Sequence, residues 1–196
     1  MLQSNTICRL EMVLPKNASN IKKTVLKTMR ISDYINTLLE EDAASKGVSV
    51  NALISMIMTK YAEWDRYIER FGGITIKPQA LKEILEVVDD DKLAEIAKRS
   101  GSRFPKEFVL FWFKKANLDT YLRSLKLVCK YKGYAHYELE TDGSEYTVIL
   151  IHDLGEKWSK FLRYVVEGGM KSITGIVPKF EVNDDSLIVR FNSRGG

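Results

Sequence analysis

Two cysteines and two histidines among 196 residues leave little material for thiol or metal chemistry. Cys8 and Cys129 lie far apart and form no CxxC or Cys/His cluster, so the spacing predicts reduced thiols and no zinc site. Long apolar runs are also missing. The longest, Phe108–Phe113 and Val148–Ile151, fall well short of the roughly 18–20 residues that a membrane-spanning helix needs. Arg9 and Glu11 interrupt the N-terminus where an export signal requires an unbroken apolar stretch, so the cytoplasm is the expected compartment. Charge of one sign is scarce too, with 30 Lys+Arg against 26 Asp+Glu. What is present is 45% hydrophobic residues, enough for the core of one ordinary domain or two small ones.

The net charge of +4 is unevenly spread. Up to Ser32 there are six basic residues (Arg9, Lys16, Lys22, Lys23, Lys27 and Arg30) against the single acid Glu11, and the remainder is close to neutral. Attraction to a polyanion would therefore concentrate at the front of the chain. Residues 1–23, with Pro15 and an Asn/Ser-rich stretch, read as a basic arm without regular structure.

Thr24–Ile31 is rich in β-branched and apolar residues in approximate alternation and predicts a strand. Ser32-Asp33 then offers a helix N-cap, and Ile35, Leu38, Leu39 and Ala43 recur at helical spacing up to Lys46-Gly47. A second helix is expected from Ser49, with one apolar stripe (Val50, Leu53, Ile54, Ile57, Tyr61, Trp64, Ile68, Phe71) ending at Gly72-Gly73. A lone strand has unpaired backbone groups on both edges and requires a partner, most simply its copy in a second protomer.

Residues 24–71 thus resemble the ribbon-helix-helix DNA-binding domains of the Arc, MetJ and CopG type. Arg30-Ile31-Ser32, followed by Gly47-Val48-Ser49-Val50-Asn51, carries the likeness over about a quarter of the chain. It implies a homodimer whose antiparallel ribbon enters the major groove of double-stranded DNA. Leu26, Thr28 and Arg30 would then contact bases. Ser49, Val50 and Asn51 would hold a phosphate at a helix N-terminus, with Lys22, Lys23 and Lys46 adding attraction to the backbone. Lys27 departs from the family's apolar position, so either its side chain snorkels past the ribbon edge or the register is shifted by one residue.

From Pro78 the chain predicts short helices over 78–88 and 90–100, a further helix opened by Pro105, and another from Asp119. Then come two hairpins, around Asp142-Gly143 and Asp184-Asp185, separated by a helix over 155–173. The expected fold class is α+β: a ribbon-helix-helix over 24–72 joined to an α+β domain over 74–196 with a ββαββ antiparallel sheet. That element order loosely resembles haem nitric-oxide-binding and four-vinyl-reductase sensor domains, without a haem-ligand motif, so no cofactor is implied.

Chemistry-bearing patterns are sparse in the second part. Gly168–Ser172 ends like a phosphate-binding loop but lacks the earlier glycine. Asp89-Asp90-Asp91 suits the start of a helix, and a hairpin about 142–143 sets His136 and His152 on opposite faces. No catalytic constellation stands out, so an enzyme is not expected. Phe104, Phe108, Phe111, Trp112, Phe113, Tyr121, Trp158 and Phe161 suit either a core or an apolar pocket for a small-molecule effector. The reading that follows is a homodimeric, DNA-binding transcriptional repressor. Its rivals are an antitoxin-like interaction protein and a ligand-binding domain merely dimerised by the ribbon.

Overall fold

A computed structural model of the chain describes residues 25–193. Helices α1 (Asp33–Ser45), α2 (Val50–Lys60), α3 (Arg66–Phe71), α4 (Pro78–Glu86), α5 (Asp90–Phe113) and α6 (Leu118–Lys132) come first. Strands β1 (His136–Thr141) and β2 (Glu145–Ile151), helix α7 (Glu156–Thr174), and strands β3 (Lys179–Val182) and β4 (Ser186–Asn192) follow. The fold class α+β stands, but the N-terminal ribbon does not. Residues 25–32 form no strand, and the first strand among the described residues is β1. The alternation that suggested a strand was imperfect, with Lys27 on the apolar face, and β-propensity becomes a strand only when a ladder partner supplies its hydrogen bonds.

The two helices after that segment form much as their caps dictate. Ser32 accepts a hydrogen bond from the Ile35 amide and Ser49 one from the Ala52 amide. The second helix, however, is not one continuous α-helix. A π-helical turn over Tyr61–Asp65 lies between α2 and α3. Its wider turn rotates everything downstream, splitting the expected single stripe into two faces. Trp64 and Tyr67 are buried, whereas Ile57 and Tyr61 are 48% and 57% exposed.

Pro105 does not open a helix; it sits inside α5, which runs unbroken from Asp90 to Phe113. Proline has no N–H to offer the Gly101 carbonyl one turn earlier, and the helix tolerates this where it crosses α7. The crossing is tight. A Cβ on Gly101 would lie 2.6 Å from the Tyr164 carbonyl oxygen and 2.7 Å from the Val165 Cα, and one on Gly168 2.6 Å from the Gly101 carbonyl carbon. Glycine at both positions lets the two backbones meet. The segment that looked like a phosphate loop, Gly168–Ser172, is thus interior to α7 and packs against α5.

The sheet has the order β1-β2-β4-β3, all neighbours antiparallel. In the first hairpin His136 pairs with Ile151 and Thr141 with Tyr146, two positions away from a two-residue turn at 142–143. The turn is longer because Asp142 Oδ1 accepts from the Ser144 and Glu145 amides, with Gly143 at φ 98° between them. One sheet face bears Val148, Leu150, Leu187, Val189 and Phe191, which pack with Tyr121 and Cys129 of α6 and Val166 and Met170 of α7. Glu138, Glu140, Glu181 and Arg190 lie on the other face, exposed, and Arg190 is paired with Glu181. One covered and one solvated face is the usual state of an antiparallel sheet.

Candidate functional site

The α5–α7 crossing, α6 and the sheet leave an apolar cavity of about 320 Å³ between them. Helix α5 contributes Ser100, Phe104, Pro105 and Phe108; α6 contributes Tyr121, Ser124, Leu125, Val128 and Cys129; α7 contributes Trp158, Phe161, Leu162, Val165 and Val166. Tyr134, Ala135 and Leu150 close the sheet end, and Phe71 at the end of α3 completes the wall. Phe104, 52% exposed, marks the mouth.

Three of the polar groups in this wall are bonded to protein. Tyr121 Oη donates to the Val166 carbonyl at 3.2 Å, Ser124 Oγ to the Tyr121 carbonyl at 2.7 Å, and Trp158 Nε1 to the Tyr134 carbonyl at 3.0 Å. Among the described residues no buried side-chain nitrogen or oxygen lacks a hydrogen-bond partner. Burial pushes the Cys129 thiol up to about 12 and raises the Tyr121 and Tyr134 phenols above their ordinary value. All three therefore stay protonated near neutral pH. The cavity presents mainly rings and methyl groups, with no charged side chain in its wall.

Beside Phe71 a second aromatic group begins. Trp64, Tyr67, Phe108 and Trp112 are buried together, with Phe108 stacked on Trp112 at 4.1 Å between ring centroids. Trp112 Nε1 donates to the Glu63 carbonyl in the π-helical turn, while Tyr131 Oη and Lys130 Nζ reach the Glu63 carboxylate at 2.6 and 3.2 Å. These bonds tie the turn to α5 and α6.

His152 and Ser159 meet at 2.9 Å, both buried, and raise the question of an activated hydroxyl. The proton directions answer it. The Leu154 amide donates to His152 Nδ1, so the neutral ring carries its hydrogen on Nε2 and donates it to Ser159 Oγ, which passes its own to the Ser186 carbonyl. A nucleophile would need the reverse polarity. The pair instead joins β2, α7 and the β3–β4 turn, where the His152 amide also donates to the Asp185 carbonyl.

The residues assigned to DNA contact are placed quite differently from a ribbon. Leu26, Thr28 and Arg30 are exposed in the irregular segment before α1, with no ladder to aim them at base edges. Ser49 Oγ is occupied in capping α2, Lys46 is paired with Asp42, Val50 is half-buried and Asn51 exposed. Lys22 and Lys23, like the arm 1–23 and Cys8, lie outside the described residues. Without a strand there is no ribbon to close a homodimer or to enter a groove. The double-stranded DNA partner, the ribbon dimer and the repressor reading are therefore withdrawn. No protein-family model matches the chain, and no curated protein matches it.

Five of the eight aromatic residues singled out in the sequence, Phe104, Phe108, Tyr121, Trp158 and Phe161, line the cavity. Phe111, Trp112 and Phe113 do not; Phe111 and Trp112 turn instead toward α3. Phe71, Tyr134 and Cys129 were missed as lining residues. Phe71 read only as the end of a stripe, and no local pattern signals a cavity formed where five separate segments meet. Asp89 occupies the N-cap position of α5, and Asp90 bonds Lys160 of α7 at 2.9 Å. Among the described residues no helix is long and apolar enough to cross a membrane, and no group of three His, Cys, Asp or Glu is arranged to hold a metal.

Proposed function

We propose that this chain binds a small, uncharged, largely aromatic molecule in the α5–α6–α7 cavity and holds it without transforming it. The supporting observation is an apolar cavity walled mainly by aromatic and aliphatic side chains, with no charged residue among them. An apolar occupant that covers these rings and methyl groups removes their surface from water, which drives its entry. Scaling from benzene in a cavity of about 150 Å³, the occupant has roughly 10–15 non-hydrogen atoms. A charged group would have to remain at the mouth, because the interior offers nothing to replace its hydration. The protonated state of Cys129 and Tyr121 and the proton direction in the His152–Ser159 pair support retention without reaction.

Naphthalene, with ten non-hydrogen atoms, is a suitable probe. Equilibrium dialysis against the full chain should show one saturable site. Leu125→Trp, which fills the cavity from α6, should weaken binding at least tenfold while the protein remains folded by circular dichroism. Equal binding by the wild type and Leu125→Trp, or none by the wild type, would overturn the reading.

A further inference from the structure

The cavity and the N-terminal helices share a wall. Phe71 of α3 and Phe108 of α5 both line the cavity, and their rings meet edge to face with centroids 5.4 Å apart. The same two rings belong to the aromatic group that seats the helical rod formed by α2, the π-helical turn and α3. In that group Trp64 lies 5.3 Å from Trp112 and 6.0 Å from Phe108, and Tyr67 lies 5.0 Å from Trp112. Away from this contact the rod and α1 bury little: Ala43 is the buried residue of α1 and Leu53 that of α2. The rod is thus seated by one aromatic contact together with the Glu63 bonds, and part of the aromatic contact is also the cavity wall.

We infer that filling the cavity and seating the rod are one linked equilibrium, with Phe71 and Phe108 as the residues common to both. The inference rests on the binding reading above. An apolar occupant touches Phe71 only when α3 is docked, so it favours the docked rod by whatever contact it gains there. With the cavity empty, the cavity side of Phe71 lacks partner atoms and α3 is held less firmly. Coupling between binding sites is reciprocal, so loosening the rod must weaken the occupant by the same factor that the occupant tightens the rod.

Reciprocity supplies the test. Tyr67 anchors α3 against Phe111 and Trp112 but does not line the cavity. With naphthalene as the probe and the full chain throughout, amide hydrogen exchange over residues 61–73 should slow on binding. Tyr67→Ala should weaken naphthalene three- to tenfold and abolish that protection, while exchange over residues 136–192 stays unchanged. Tyr67→Phe, which keeps the ring, should bind like the wild type. Naphthalene bound with no change over 61–73, or Tyr67→Ala binding with wild-type affinity, overturns the coupling and leaves the binding reading intact. A general loss of protection over 136–192 in Tyr67→Ala also overturns it, since the rod would then be part of the fold of the cavity. No binding by the wild type overturns both.

Discussion

Helices α2 and α7 are both rich in apolar residues and meet different fates. In α7, Trp158, Val166 and Met170 are buried between the sheet and α5, and even the small residues Ser159 and Gly169 are enclosed. In α2, Leu53 is buried, while Met56, Ile57 and Met58 are each about half exposed. The difference lies in the neighbours. Helix α7 faces a strand-lined wall and a crossing helix; α2 faces mainly the short α1. An apolar period announces a face in search of cover, and the cover comes from the rest of the fold.

Substitutions can break that contrast. The largest effect is expected at the α5–α7 crossing. Gly101→Val would drive a side chain into the backbone of α7 and should destabilise the region from α4 to β4 by about 3 kcal/mol or more, measured by urea unfolding. Amide exchange in α1 and α2 should change far less, and equal losses in both regions would show that they fold as one unit.

An intermediate effect is expected from acid. Burial holds the His152 pKa below its ordinary value, with Asp185 and Asp153 pulling the other way. The unfolded chain therefore takes up this proton first as pH falls. The contribution of His152 is complete above about pH 6.5, the ordinary histidine value, and is lost progressively as pH drops from there toward the lower folded-state value. Melting temperature should decline on acidification through that window. His152→Gln should flatten the decline, and an identical pH profile for both proteins would remove His152 as its source. The smallest effect belongs to the open face of α2, where Met56→Ala should shift unfolding by no more than about 0.5 kcal/mol. A loss of 2 kcal/mol or more there would mean that the face is covered in solution.

Local signals in the sequence located most elements. The caps at Ser32 and Ser49 started α1 and α2, and Asp184-Asp185 marked the turn between β3 and β4. The failures are equally specific. Thr24–Ile31 had strand composition but found no ladder, and Pro105 looked like a helix start but was absorbed where Gly101 and Gly168 meet. Tyr67 lay off the expected stripe and became buried because the π-helical turn rotated it inward. The aromatic residues of the cavity were visible as a composition, whereas their division between a ligand-sized space and a packed cluster was not.

By itself the sequence determined the helical and hairpin periods, the class α+β, and an interior rich in aromatic rings. These follow from near-neighbour chemistry: caps, turns and the repeat of apolar residues. Only the tertiary structure decided that the first strand would not form, that α5 would pass through its proline, and that five segments would stop short of filling the space they surround. Each of those outcomes depends on contacts between residues tens of positions apart, where backbone pairing, close approach and packed volume are settled together.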